Sequence, residues 1–402
     1  MTNTYLTIGM VTSEALRVLE NNLTFTNKVN RQFDDSFGVD GAKIGTTLNV
    51  RKPTRYVGRT GQAMSLEDAT ETQVPVKLDT QFGVDVQFSS QDLALSIDDF
   101  SNRFITPAIA TIANKIDRDG LQLYKDVYNT VGTPATTPTA LLTYLTAGVR
   151  MDDDAAPMDG MRCLILTPLM QATIVDALKG LFQQSSAIAS QYTKGVMGTA
   201  AGFDWAMDQN VATHTAGTFP GTPLVNGASQ TGSSLVTDGW TASQTGILKE
   251  GDVIQLASVN HVNPQSRQTN SVLQDFVVTA DVDSDGSGDA TIPISPSITI
   301  AGSFQTVTGS PADNAVITLT GAASAVSPQG LAFHRDAFTL ATCNLPVPRG
   351  VDMGASRSDK QLGLSVRMVR QYTISDDQFP CRLDVLYGWK TLRPELACRV
   401  AA

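Results

Sequence analysis

Closely spaced aspartates between Asp281 and Gly286 are the strongest candidate for ligand chemistry in this 402-residue sequence. Asp281, Asp283 and Asp285 occupy alternate positions before the glycine, as in the first half of an EF-hand calcium loop. The twelfth position of such a loop needs a bidentate Glu, and here it is Ile292. The flanking segments also have strand patterns rather than helix patterns. We therefore interpret the stretch as a polar turn, with a weak surface calcium site as the alternative, and predict no metal and no cofactor.

Residues typical of catalytic sites are scattered along the sequence. The three histidines are far apart in sequence (His214, His261 and His334). No zinc-protease, phosphate-loop or nucleophile-elbow motif is present. The four cysteines have neither metal-site nor disulfide-framework spacing (Cys163, Cys343, Cys381 and Cys398). We predict reduced, buried cysteines and a protein that is not an enzyme.

A second group of charged side chains begins at Arg51 and ends at Glu71. Its basic members come first and its acidic members follow: Arg51, Lys52, Arg55 and Arg59, then Glu67, Asp68 and Glu71. Nucleic-acid binding is not favoured, because Tyr56 is the one aromatic nearby and the chain carries a net charge of −10. Complementary charges favour a protein–protein contact. We predict that these seven residues are subunit-interface residues and that the chain has no sequence-specific nucleic-acid binding.

The segments around this charged group predict a long β-hairpin. Apolar residues and Thr80 alternate with mostly polar ones from Val74 to Phe88, and the upstream partner is 46–57. A single strand of that length would span ~50 Å at about 3.3 Å per residue, far beyond a usual strand. We therefore predict an arm that has little core of its own and lies on another chain.

Helices are predicted on both sides of the hairpin. An N-terminal helix shows one apolar face through Leu16, Leu19 and Leu23, and its spacing continues to Phe33. A second, long helix is predicted over 96–128, with a break or a fresh start at Pro107 because proline is costly inside a helix.

The second half of the sequence predicts a mixed domain with an insertion. Residues 137–186 read as helix, strand ("RCLILTP") and helix. Between His214 and Pro328 lie short strand-like runs, two basic residues and nine acidic ones, which indicates an inserted small β-barrel or sandwich. Strand patterns at 362–368 and 383–389 predict a hairpin, and we expect the final strand after Arg393-Pro394-Glu395 to be paired rather than frayed.

Seven segments follow one another along the chain: "SEALRVLENNL", "FSSQDLALSIDDF", "TPAIATIANKID", "GTAAGFDWAMDQNV", "KEGDVIQLASV", "SPADNAVITLTGA" and "LYGWKTLRPELACRV". These segments and the order of the parts resemble the major coat proteins of P22-type short-tailed phages, which have the HK97-like capsid fold. The resemblance implies an α+β HK97-like fold with six parts. They are an N-terminal helical arm (1–45), an extended hairpin loop (46–90), a spine helix (91–136), a peripheral domain (137–186), an axial domain (187–213 and 329–402) and an inserted β-barrel domain (214–328).

The resemblance also implies a function. It implies a major capsid protein that self-assembles, as hexamers and pentamers, into the icosahedral head of a tailed phage enclosing double-stranded DNA. The implied partners are a scaffolding protein during assembly and a portal protein, and the implied location is the virion, after synthesis in the bacterial cytoplasm. One feature departs from the family: 225–247 contains a single charged residue, Asp238, so a salt-bridged contact between inserted domains is not expected.

The alternative function is that of a secreted, β-rich surface-layer or adhesion protein, in which the aspartate-rich turn would bind calcium. Such a protein should carry a secretory signal, and the sequence MTNTYLTIGM has neither a basic nor an apolar signal region. No apolar run approaches the ~20 residues of a membrane helix. We therefore expect no membrane partner.

Overall fold

The computed structural model describes residues 23–33, 47–64, 66, 71–89, 106–178, 198–359 and 364–402. Within them the α-helices are α1 (Thr106–Leu121), α2 (Leu141–Asp153) and α3 (Pro168–Leu178). Short 3-10 helices cover Thr26–Lys28, Gln122–Asp126, Arg335–Ala337 and Pro394–Leu396. None of the helices described is long and apolar enough to cross a membrane.

The strands of the described residues form four sheets. In chain order they are β1 (Asn30–Phe33), β2 (Thr47–Arg51), β3 (Gln73–Lys77), β4 (Thr80–Ser89), β5 (Thr130–Gly132), β6 (Arg162–Leu166), β7 (Thr199–Ala200), β8 (Phe203–Met207), β9 (Thr213–Thr215), β10 (Gly221–Val225), β11 (Gly232–Trp240), β12 (Val253–Asn260), β13 (Leu273–Val278), β14 (Ala290–Ile298), β15 (Ile317–Leu319), β16 (Val326–His334), β17 (Phe338–Cys343), β18 (Met353–Asp359), β19 (Leu364–Arg370), β20 (Gln378–Thr391) and β21 (Ala397–Ala401).

The chain forms two compact units. The first contains the described residues of Met1–Val50, Gln73–Gly120 and Phe338–Leu392. The second contains those of Arg51–Thr72, Leu121–Ala337 and Arg393–Ala402.

A six-stranded sheet and α1 make up most of the first unit. The strand order is β1-β17-β20-β19-β18, and β4 also pairs with β20, antiparallel along its whole length. Helix α1 is tied to β20 by two hydrogen bonds: Trp389 Nε1 donates to the Ile116 carbonyl at 3.1 Å, and the Tyr387 hydroxyl donates to Asp119 at 2.7 Å. The predicted hairpin of the last strands is confirmed by the β19–β20 pairing.

The alternating run from Val74 to Phe88 is two strands, so the prediction of one uninterrupted strand is wrong. β3 pairs with β2 as the base of the arm, whereas β4 pairs with β20 inside the six-stranded sheet. Val76 and Leu78 are buried against Ala341 and Leu392, which gives the arm base a core within its own unit. The part without such a core is therefore shorter than predicted.

The N-terminal segment also departs from the prediction. Asn30–Phe33 is a strand that pairs in parallel with β17, so the predicted helix does not extend to Phe33. The carboxylate of Asp117 on α1 accepts hydrogen bonds from the backbone N–H groups of Thr24, Phe25 and Thr26, at 2.6, 3.2 and 3.0 Å. These tertiary bonds outweigh the helical spacing. The helix predicted before Leu23 lies outside the described residues, as do 96–105 of the long helix. The described part of the long helix begins at Thr106, with Pro107 in its first turn.

A seven-stranded sheet forms the host part of the second unit, in the order β5-β21-β16-β6-β8-β7 with β9 also on β16. The predicted helix–strand–helix over 137–186 is confirmed as α2, β6 and α3. β21 lies between β5 and β16, so the last strand is paired as expected. β6 belongs to the predicted peripheral domain, and it pairs with β8 and β16 of the predicted axial domain. One sheet therefore crosses the boundary predicted at 186/187. Phe338–Leu392, predicted to share the axial domain with 329–337, belongs to the other unit.

The predicted insertion is a β-barrel. Its strands follow the order β10-β11-β14-β13-β12-β15, and a bridge between Leu224 and Val316 closes the ring. The interior is apolar and includes Leu235, Phe276 and Ile292, each fully buried. The chain enters and leaves the barrel side by side, because β9 pairs with the start of β16.

Candidate subunit interface

The two limbs of the arm are held together near its base. Arg51 and Glu71 form an ion pair at 3.4 Å, with side chains 77% and 59% exposed. The Lys52 amide donates to the Thr72 carbonyl at 2.8 Å, which continues the β2–β3 pairing by one more bond. An ion pair this exposed contributes little to stability, so the pair leaves both side chains accessible to other contacts.

Arg55 has a different environment from the other basic residues of the arm. Its guanidinium lies 3.1 Å from the Glu395 carboxylate and 5.8 Å from the centre of the Phe304 ring. Arg393 Nε approaches the same carboxylate oxygen at 3.3 Å. The side chains of Arg55 and Glu395 are only 28% and 16% exposed, so salt screens this ion pair less than it screens a pair on the surface. Arg55 thus fixes the start of the arm to residues of its own unit.

The remaining predicted interface residues are placed only in part. Arg59 Nη1 donates to the carbonyl of Gly61 within the turn. Glu67 and Asp68 lie outside the described residues. The structure therefore brings Arg51 together with Glu71, places Arg55 on Glu395, and does not show the basic residues as one continuous face.

Exposed apolar side chains in the loop that follows Arg55 are the feature that charge patterning missed. Tyr56 and Val57 are exposed, and Met64 and Leu66 are 76% and 86% exposed. Soluble proteins rarely group such side chains on an extended segment unless the segment contacts a partner. The signal was present in the sequence, because these residues interrupt a loop that otherwise consists of polar, charged and small residues. We call Tyr56, Val57, Met64 and Leu66 the arm tip.

The aspartate-rich turn uses its carboxylates for backbone contacts. Asp281 accepts from the Glu250 amide at 2.8 Å and Asp283 from the Gly246 amide at 2.6 Å. Asp285 accepts from the amides of Ser287 and Asp289, and hydrogen bonds from these amides lower its pKa. No cluster of three or more metal-ligating side chains occurs in the part of the chain that the structure describes. The turn therefore joins two loops of the barrel, 241–252 and 279–289.

A profile described as P22 coat protein, gene protein 5, matches residues 8–399. The chain belongs to the P22 coat protein family. This assignment agrees with the order of parts described above and favours the coat-protein interpretation over the surface-layer alternative.

Individual relatives of this coat protein are distant. The major capsid protein of Acyrthosiphon pisum secondary endosymbiont phage 1 is 25% identical over 256 residues, which are 59% of this chain and 60% of the relative. The match thus spans about 60% of the curated relative's length. Among solved structures, the capsid of Ralstonia phage GP4 covers 94% of this chain and 88% of its own, at 8% identity and a TM-score of 0.49. The capsid of cyanophage P-SCSP1u covers 94% and 87%, at 11% identity and a TM-score of 0.46.

Proposed function

We propose that the protein is the major capsid subunit of a tailed phage and builds an icosahedral shell of HK97-like subunits around double-stranded DNA. Family membership over residues 8–399 supports this function. The structural observation that carries it is the arm tip, whose apolar side chains are exposed on a segment anchored at both limbs. The occupant that we assign to the arm tip is a second copy of the same chain.

Repetition explains why such a small contact is sufficient. Burying one large apolar side chain contributes about 1.5–3 kcal/mol before the entropy cost of association is subtracted. One arm therefore gives a weak contact. In a closed shell each copy both donates an arm and receives one, and the many weak contacts make the shell stable while single subunits remain soluble. The exposed Arg51 and Glu71 side chains belong at the polar rim of this contact.

The remaining parts of the proposal follow from the family. We infer that the copies form hexamers and pentamers, that a scaffolding protein directs assembly, and that a portal protein is a further partner. The chain has a structural role rather than a catalytic one, and its place is the virion. We also infer from the family that the chain has a peripheral domain and an axial domain.

Electron microscopy of the chain coexpressed with its scaffolding protein tests the function. We expect closed shells from the unmodified chain. Deleting Gly58 to Thr72, or replacing Met64 and Leu66 by Ser, should leave a folded subunit that does not form shells. The matched control is Gln62→Ser, which changes an exposed polar residue of the same loop and should assemble normally. Normal shells from the double Ser variant would contradict the assignment of the arm tip.

A further inference from the structure

The inserted barrel is joined to its host sheet by two adjacent chain crossings. Thr215 pairs with Val326, and the Ala216 amide donates to the Ala325 carbonyl at 2.9 Å. A single two-stranded connection bends easily, and relative motion is the usual expectation for a domain attached in this way. Two clusters of polar contacts lie beside this connection, and they restrict the motion of the barrel relative to its host sheet.

The first cluster, which we call the entry cluster, contains Tyr124, His214, Asp252 and Arg399. His214 Nε2 lies 2.8 Å from Asp252 Oδ1, and its Nδ1 lies 3.1 Å from the Tyr124 hydroxyl. Because a carboxylate only accepts hydrogen bonds, Nε2 carries the hydrogen, and in the neutral ring Nδ1 accepts from the tyrosine. Burial raises the pKa of Tyr124 to about 12, so its hydroxyl keeps the proton that it donates.

Arg399 connects this cluster to the last strand of the chain. Its guanidinium donates to the Val127 carbonyl at 2.8 Å and to the Gly251 carbonyl at 2.7 Å, and it lies 5.6 Å from the centre of the Tyr124 ring. The side chain is fully buried, and burial lowers its pKa to about 10. Val127 belongs to the host and Gly251 to the loop before β12, so one arginine holds both.

The second cluster, the lateral cluster, joins the end of α2 to the barrel loop 261–270. His261 Nε2 lies 2.9 Å from Asp154 Oδ1. Asn263 donates to the Asp153 carbonyl at 2.7 Å, and Asn270 donates to the Asp153 carboxylate at 2.6 Å. The barrel thus has a second attachment, formed by different elements on both sides of the contact.

We propose that the entry and lateral clusters together hold the inserted barrel in one orientation on its host sheet. Hydrogen bonds are directional, so contacts of this kind are satisfied in one geometry, unlike an apolar surface on which a domain can slide. Two such attachments on separate elements stop both the bending and the rotation that the two-stranded connection allows. The inference concerns the single chain and does not require that the chain forms shells.

Distance measurements on the unassembled full chain test the proposal. Spin labels at Ser234→Cys on β11 and Ala172→Cys on α3 occupy exposed positions on the barrel and on the host. Double electron–electron resonance should give one narrow distance distribution for the otherwise unmodified chain. A broad or bimodal distribution in that chain would overturn the proposal, whatever the variants do.

A second experiment removes the histidine from each cluster. The double variant His214→Leu, His261→Leu should broaden the distance distribution and add distances that the otherwise unmodified chain does not show. The double variant His214→Gln, His261→Gln should keep the narrow peak, because Gln can still donate to the carboxylates. His334→Leu is the matched control: this histidine also contacts an aspartate, Asp159 at 3.2 Å, but within the host. An unchanged distribution in the folded double Leu variant would contradict the role of the clusters. Failure of shell formation is seen separately by microscopy, so the two proposals fail independently.

Discussion

Replacing Arg55 by Ala should loosen the start of the arm. The change removes the ion pair with Glu395 at 3.1 Å and the contact with the Phe304 ring at 5.8 Å. Contacts of these two types are worth about 0.5–1 kcal/mol each at partly exposed sites, so the loss is about 1–2 kcal/mol. That free energy corresponds to a roughly 5–30-fold larger population of the opened arm.

Hydrogen exchange of the Lys52 amide measures this opening, because its hydrogen bond to the Thr72 carbonyl protects it while the arm is in place. We expect exchange about 5–30-fold faster in Arg55→Ala. The matched control is Arg59→Ala, whose guanidinium contacts a carbonyl of its own turn and whose loss should leave the exchange unchanged. Glu395→Gln should also accelerate exchange, and the effects of Arg55→Ala and Glu395→Gln should be non-additive because they remove the same pair. Equal exchange rates in the Arg55 and Arg59 variants would refute the reasoning.

Three further predictions concern the stability of the units. Gly388→Ala forces a methyl group against the Lys77 carbonyl oxygen, so we expect a loss of about 3 kcal/mol or more in urea unfolding. Gly309→Ala, with open space around it, should be nearly neutral, and equal midpoints for the two variants would contradict this packing. Asp117→Ala leaves the N–H groups of Thr24, Phe25 and Thr26 without this acceptor and should cost about 3–5 kcal/mol in the same assay, with Asp117→Asn intermediate. A loss below about 1 kcal/mol would show that this anchor is unimportant. All four cysteines are buried, and burial raises the pKa of Cys381 to about 11, so the native protein should react slowly with a thiol reagent and the denatured protein quickly. Rapid stoichiometric reaction of the native chain would contradict their placement.

Sequence patterns predicted the local elements and the insertion well. The inserted barrel was visible because its composition and turn residues differ from those of the flanking segments, and its bounds of 214 and 328 stay a prediction. The strand β6 and its two neighbouring helices were equally clear, because their apolar periods switch between helix and strand spacing. These signals are local, so one sequence is enough to detect them.

Long-range pairing was not visible in the same patterns. The alternation before and after Leu78 is similar, yet β3 pairs with the arm and β4 with β20. What separates them is tertiary: the arm base crosses the sheet at Gly388, where only a hydrogen leaves room for the Lys77 carbonyl. For the same reason the strand at Asn30–Phe33 was predicted as helix, since its partner lies some 300 residues away.

The candidate interface was predicted by charge, and the structure adds the apolar part. Sequence spacing identified Arg51 and Glu71 as members of one charged group, and the structure pairs them. Sequence spacing could not identify Glu395 as the partner of Arg55, because the fold brings together two residues that are far apart in the sequence. Likewise, Arg399 has the sequence context of an ordinary strand residue, and only its burial in the second unit shows that it joins the host to the barrel.

A cryo-electron microscopy reconstruction of particles from the coexpressed chain and scaffolding protein tests the central claim most directly. The claim is that this chain is a coat subunit whose arm tip lies on a second copy. The predicted result is a closed icosahedral shell in which Tyr56, Val57, Met64 and Leu66 of each copy contact a neighbouring copy. Absence of shells, or shells in which the arm tip contacts only its own chain, would contradict it.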